Sequence, residues 1–197
     1  MEFSSPNMGL AYIATYLSSV GVKCEILSAP AIMEMNNSRL GSYVRKKNPR
    51  IAGFYLISDN LEISLDTAKL MKQKIPEAAF VAGGPLAAAL GEKILDYGVF
   101  DYVITGEGEF AMKSLYDYIT GAVESADHIA GLIYRQDGEK KYGAPISPIT
   151  DLDSLPFPDL KYMPGQQVFQ IVSGRGCPYR CTFCFQAGHG LKFRFRS

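Results

Sequence analysis

Three of the chain's four cysteines fall in one short run, Cys177-Pro178-Tyr179-Arg180-Cys181-Thr182-Phe183-Cys184. The spacing, C-x3-C-x2-C, places three soft thiolate donors on a single loop. Such a loop can ligate three irons of a four-iron cluster and leave the fourth open to a chelating small molecule. The missing fourth cysteine is informative, because proteins usually supply four ligands to these clusters. Other chemistries use the same residues: Cys177, Cys181, Cys184 and His189 form a possible three-cysteine, one-histidine zinc set, and clustered cysteines also serve redox or structural ends. The context favours the cluster. The loop directly follows Phe169-Gln170-Ile171-Val172, which reads as a strand, and Ser173-Gly174-Arg175-Gly176, a glycine-rich turn; zinc ribbons lack that setting. Cys24 stands apart in the alternating stretch Lys23-Cys24-Glu25-Ile26-Leu27, where a lone cysteine is ordinarily a small buried hydrophobe.

The rest of the chain must position that loop. With 197 residues and 47% hydrophobic content, it can bury one ordinary domain and part of another. Lys plus Arg and Asp plus Glu each number 20, so no net field recruits nucleic acid or an anionic membrane surface. No run of about eighteen apolar residues marks a membrane span. The start, MEFSSPNMGLAYIATYL, lacks the basic region and cleavage site of a secretory signal. A cytoplasmic location is the expectation.

Leu10, Ile13, Ala14 and Leu17 fall at helical spacing, with Gly21 as a stop. A short strand is expected over 24–27 and a helix over 38–47, ended by Asn48-Pro49. The unalternated apolar run 51–57 reads as a parallel strand buried on both faces. Strands over 79–82 and 102–104 run into Gly83-Gly84-Pro85 and Gly106-Glu107-Gly108-Glu109, with helical patterns between and after them. Strand, glycine turn and helix in repetition imply an α/β fold, a doubly wound, Rossmann-like parallel sheet. Ligands of such sheets sit beyond the carboxyl ends of the strands, which puts Ser58, Gly83, Gly84, Pro85, Gly106, Glu107 and Gly108 on one candidate shelf. Glu107 and Glu109 begin a helix, where carboxylates are favoured by the dipole whatever their function.

Beyond Gly121 the pattern changes to a hairpin about Asp137-Gly138 and then a stretch rich in proline, Pro145, Pro148, Pro156, Pro158 and Pro164. The expected division is a sheet domain over 1–122, a hairpin and linker over 123–165, and a further domain opening over 166–197. The first helix has only residues 1–7 ahead of it, so the first strand is expected to be missing, with its place filled by a C-terminal strand or a second copy. Both ends read as cut, and exposed edges favour self-association.

The pieces Pro6-Asn7-Met8-Gly9-Leu10-Ala11-Tyr12, Gly83-Gly84-Pro85 and Gly106-Glu107-Gly108-Glu109, in that order ahead of the three-cysteine loop, resemble the front of a cobalamin-binding radical S-adenosylmethionine enzyme. The resemblance covers essentially the whole chain: a cobalamin-binding domain, a linker, and the first strand and cysteine loop of a radical S-adenosylmethionine barrel. It implies that Cys177, Cys181 and Cys184 bind a 4Fe-4S cluster, that S-adenosylmethionine chelates the fourth iron, and that Phe183 lies by its adenine. Gly9 and Leu10 join the shelf residues as implied cobalamin contacts. Neither histidine, His128 or His189, lies in the loop Ser4-Ser5-Pro6-Asn7-Met8-Gly9, so no histidine is available there as a lower cobalt ligand.

For the intact enzyme the resemblance implies radical chemistry on a small-molecule substrate, first of all methylation of an unactivated carbon. A second reaction within the superfamily is oxidation of the kind run by the anaerobic magnesium-protoporphyrin monomethyl ester cyclase. The fragment itself is expected to bind cofactors with little turnover. The reading from another class is a nonenzymatic Rossmann-like binding module with a zinc-stabilised tail. A third keeps the radical chemistry but leaves the front domain without cobalamin.

Overall fold

In the computed structural model, residues 7–164, 169–179, 181–184 and 192–197 are described. Two compact units divide the chain: Leu27–Ser147, and Met1–Ile26 together with Pro148–Ser197. This division differs from the expected boundaries at both ends. The first helix groups with the C-terminal residues, and the hairpin groups with the sheet.

The Leu27–Ser147 unit is built on one five-stranded sheet, β1 (Ile51–Tyr55), β2 (Ala79–Gly83), β3 (Tyr102–Ile104), β4 (Leu132–Gln136) and β5 (Glu139–Tyr142), in that spatial order. The first three strands are parallel, with Ile51 opposite Ala79 and Val81 opposite Tyr102. The hairpin of β4 and β5 adds antiparallel to β3, Val103 facing Ile133. Its turn has Asp137 at φ 53° and Gly138 at φ 82°; two successive residues of positive φ match the twist of a two-residue hairpin. The turn signal was thus legible, but its strands extend the sheet instead of beginning a linker.

β2 is buried on both sides because alternate residues face different cores. Phe80 and Ala82 pack with Leu40 and Val44 of α3 (Asn37–Lys47) and Ala68 and Met71 of α4 (Leu61–Lys74). Val81 packs with Ala111 and Leu115 of α6 (Gly108–Ile119) and with Ile104, Ile129 and Leu132. Helices on both faces are what a doubly wound sheet requires. β1 departs from expectation: Ala52 is buried, but Gly53 is exposed, so one face is only partly covered. Among the described residues β1 pairs with β2 alone. At the foot of the sheet Asp101 takes the place of a further ladder residue, accepting from Phe80 N at 2.8 Å and pairing with Lys72 Nζ at 2.6 Å. Two short helices, α2 (Ala29–Glu34) and α5 (Pro85–Leu90), complete the unit.

In the other unit, α1 (Met8–Ser19) is capped by Asn7, whose Oδ1 accepts from Leu10 N at 3.0 Å. It stops at Gly21, φ 85°, as the sequence leads one to expect. Ala11 and Ala14 pack with Tyr162 and Met163, and with half-buried Cys24 and Ile26. The strand expected over 24–27 does not form. Its alternation is real, but the inward residues meet a helix and a 3-10 turn, and the Cys24 carbonyl accepts from Tyr162 Oη at 3.4 Å in place of a ladder partner. Burial pushes the Cys24 thiol up, against the opposing charge of Lys161. The proline-rich stretch carries two 3-10 turns, Leu152–Ser154 and Leu160–Tyr162, capped by Asp151 and Asp159. It ends in a small ladder of β6 (Gly174–Arg175) and β7 (Arg194–Phe195). No helix of the described residues is long and apolar enough to cross a membrane.

Behind β3, Tyr102 stacks on Tyr134 at 6.0 Å between ring centres. Burial, then the neighbouring Tyr118, Asp101 and Tyr134, push the Tyr102 hydroxyl up to about 12. An unfolded tyrosine titrates near ~10, so the folded state holds a proton that the unfolded state has already lost. Stability is therefore full below about pH 10 and falls as pH rises towards 12. Urea unfolding across that window should show this decline, and Tyr102→Phe should lessen its slope.

Candidate functional site

The parallel ladder brings three turns to one edge of the sheet: Leu56 to Asn60 after β1, Gly83 to Pro85 after β2, and Thr105 to Gly108 after β3. This is the shelf expected from the strand pattern. Leu56 N donates to Gly83 O at 2.8 Å, and Leu86 N donates to Leu56 O at 3.0 Å, so the second turn is stapled to the end of β1. Gly84 has φ 92° and ψ −180°, a region that residues with a β-carbon avoid. A β-carbon there would also stand 2.9 Å from Leu56 O and 3.0 Å from the Tyr55 ring. Glycines on such a shelf can serve the close approach of a ligand or of the chain itself. For Gly84 the close approach is made by the neighbouring strand. Gly83 is different, since the nearest atom to its would-be β-carbon is Ile104 O at 3.8 Å, and space remains above it.

The other shelf residues differ in access. Ser58 is exposed in a 3-10 turn, and Pro85 is exposed at the start of α5. Gly106, Glu107 and Gly108 are half-buried, and Ile146 Cγ2 lies 3.3 Å from the β-carbon position of Gly106. Glu109, in the first turn of α6, is buried at 2% exposure. Gly9 and Leu10 lie in the first turn of α1, in the other unit, Gly9 exposed and Leu10 half-buried.

Three residues that shape the shelf escaped the sequence reading. Asn60 folds the first turn, its Oδ1 accepting from Ile57 N at 3.0 Å and its Nδ2 donating to Tyr55 O at 2.8 Å. Thr105 N and Oγ1 both donate to Gly131 O, at 3.0 and 2.9 Å. Gly131, φ 68°, brings the start of β4 to within 3.2 Å of Gly106 N, measured from its β-carbon position. An asparagine five residues after the end of a strand is a turn signal. The contacts of Thr105 and Ile146 join residues too distant in sequence to be read from pattern.

The cysteine loop belongs to the unit that holds α1. Gly176, φ 83°, turns the chain out of β6 directly before Cys177. Cys184 N donates to Cys181 O at 3.0 Å, so two of the thiols share one tight turn with Thr182 and Phe183 at its corners. Cys177 and Cys181 are exposed, Cys184 is half-buried, and all are free thiols. Phe183 is 91% exposed. Among the described residues no three His, Cys, Asp or Glu side chains converge on one metal position, so the three thiols are not gathered as a ready-made set. Arg180 and residues 185–191, His189 included, lie outside the described residues. The donor chemistry fits an iron-sulfur cluster: three accessible soft thiols, reached through a glycine turn, and no carboxylate in the sequence after Asp159.

Fold and site together define a doubly wound domain with a ligand edge, joined to a three-cysteine loop. The chain belongs to the B12-binding domain family, which residues 1–116 match. Among curated proteins it is 27% identical, over 92% of its length, to an uncharacterised methyltransferase of Pyrococcus horikoshii, of which it covers 40%. It is 25% identical, over 97% of its length, to the anaerobic magnesium-protoporphyrin IX monomethyl ester cyclase of Rubrivivax gelatinosus, of which it covers 37%. The chain thus spans less than half the length of these relatives. Two solved structures share its fold. One is the cobalamin-dependent S-adenosylmethionine radical enzyme OxsB with aqua-cobalamin bound, with a TM-score of 0.81 at 18% identity over 99% of this chain and 28% of that one. The other is the radical S-adenosylmethionine methyltransferase TsrM of Kitasatospora setae with cobalamin and a 4Fe-4S cluster bound, with a TM-score of 0.76 at 18% identity over 100% of this chain and 42% of that one.

The staple at Gly84 is open to test. Gly84→Ala should cost about 3 kcal/mol, from backbone strain and the contact with Leu56, whereas Gly83→Ala should change stability by less than about 1 kcal/mol. Equal losses in urea unfolding would show that the Leu56 contact does not decide the difference.

Proposed function

We propose that this chain is the front part of a cobalamin-dependent radical S-adenosylmethionine enzyme, most simply a methyltransferase acting on an unactivated carbon of a small molecule. The observation that supports it best is the order of parts along one chain. A B12-binding domain comes first, and a strand, a glycine turn and a C-x3-C-x2-C loop follow it. Cys177, Cys181 and Cys184 would hold the cluster, and Phe183 would offer its exposed ring to the adenine of S-adenosylmethionine. The shelf of Ser58, Gly83, Gly84, Pro85, Gly106, Glu107 and Gly108 would receive cobalamin. In this reading Gly83 would leave room for the macrocycle, Gly84 would keep its turn rigid, and residues 4–9 would offer no histidine to cobalt.

When bound, the cluster supplies the electron that cleaves S-adenosylmethionine to methionine and a 5′-deoxyadenosyl radical, and methylcobalamin supplies the methyl group. The part left to this chain's residues is to present three thiolates on an exposed loop and to offer a sheet edge wide enough for a flat macrocycle. The likeness to a magnesium-protoporphyrin ester cyclase favours a second reading, an oxidative cyclase with the same cluster and radical source.

Anaerobic reconstitution of the full-length protein with iron and sulfide, followed by low-temperature electron paramagnetic resonance, tests the proposal. A reduced-cluster signal that shifts on addition of S-adenosylmethionine, and that is lost in Cys177→Ala, is the expected result. Titration with hydroxocobalamin should then give a saturable change in its visible spectrum. Stoichiometric zinc retained in place of iron would overturn the enzyme reading in favour of a zinc-stabilised binding module.

A further inference from the structure

The cysteine loop leaves and rejoins the fold through a ladder of only two residue pairs, Gly174 with Phe195 and Arg175 with Arg194. So short a ladder specifies its register weakly, and a slip of one residue would turn every side chain on it to the opposite face. Cys177 follows β6 by two residues, so its direction depends on that register. Something outside the ladder must pin it.

Tyr12 of α1 meets the chain on both sides of this ladder. Its Oη accepts from Val172 N at 3.1 Å, two residues ahead of β6. The Arg175 guanidinium lies 5.4 Å from its ring centre, and that of Arg196, the residue after β7, lies 5.8 Å from it. Arg196 is itself held: it stacks on Phe157 at 4.4 Å, Nη2 donates to Leu155 O at 2.9 Å, and its backbone N donates to Ser173 O at 2.8 Å. Its side chain is 10% exposed and lies 3.9 Å from Asp153. Tyr12 itself is 2% exposed. One buried ring thus accepts a hydrogen bond from the segment just ahead of β6 and meets the cations of Arg175, in β6, and Arg196, just after β7, contacts that strengthen when desolvated.

We propose that Tyr12 is a positioning residue for the cluster loop. With Arg196 it sets the register of β6 against β7 and so the direction in which Cys177 is presented. The inference rests on the reading that the three cysteines hold a cluster, but the register itself is measurable without one.

Amide exchange of the metal-free protein is the first measurement. Tyr12→Phe keeps the ring and removes the hydroxyl, and should speed exchange across residues 172–177 by about tenfold, the worth of one hydrogen bond. Ser18→Ala is the control. It removes a 2.6 Å contact between the same helix and Tyr162 without touching the loop, and should leave residues 172–177 at the wild-type rate. Unchanged exchange in Tyr12→Phe, or equal acceleration in Ser18→Ala, would overturn the proposal. The second measurement is the reduced-cluster resonance after reconstitution, which should be broadened or split in Tyr12→Phe and unaltered in Ser18→Ala. A wild-type cluster whose spectrum is the same in Tyr12→Phe would also overturn it. Failure of the wild type to take up iron would sink the functional reading instead, leaving the exchange experiment to decide the role of Tyr12.

Discussion

The parallel register of β1, β2 and β3 is the constraint on which the sheet unit depends. Because Tyr55 stands opposite Gly83 and Ala82 opposite Val103, the three strands end together and their following turns share one edge. The staple of Leu56 main chain into the Gly83-Gly84 turn turns this alignment into a rigid rim. Small residues on such a rim leave the backbone open to close approach. The fold thus makes the site by geometry first and chemistry second.

At the foot of the sheet, charge does what apolar packing does above it. Asp101 joins Phe80 N to Lys72, and Lys72 also donates to Val99 O and lies over the Phe80 ring. The added hairpin is tied down by a second polar group. Lys140 reaches Glu92 at 3.1 Å and Asp96 at 3.6 Å, Arg135 reaches Asp96 at 2.8 Å, and Tyr142 bonds to Glu92. The Tyr142 hydroxyl and then Lys140 hold the Glu92 carboxyl below its ordinary range. These groups are exposed, so each contact is weak alone. Their value lies in fixing where the hairpin sits beside β3, and Gly131 and Ile146 then follow it to the rim.

The cysteine loop belongs to a different physical setting. From Leu160 to Ser197 the sequence has six lysines and arginines and no acid. The same arginines double as structure: Arg194 Nη1 donates to Ile149 O at 2.5 Å, and Arg196 is sandwiched between aromatic rings.

Much of this was legible from local pattern. The amphipathic spacing of α1, the unalternated strands, the glycine stops and the Asp137-Gly138 turn each encode their conformation within a few residues, and the three cysteines announce by type and spacing a loop of soft donors. What local pattern could not decide was partnership. The stretch at Cys24 alternates like a strand, yet only the packed chain shows its inward residues meeting a helix and its carbonyl meeting Tyr162. Gly84 is readable as a turn glycine, but that its missing side chain makes room for Leu56 depends on the register of two strands far apart in sequence. Tyr12 reads as one more apolar residue on a helix, while its contact with Val172 spans 160 positions. Sequence alone determined which segments could be helix, strand or metal loop, because those choices rest on short-range sterics and residue chemistry. Tertiary structure decided which of them touch, because that rests on burial and hydrogen bonding among groups brought together only when the chain has folded.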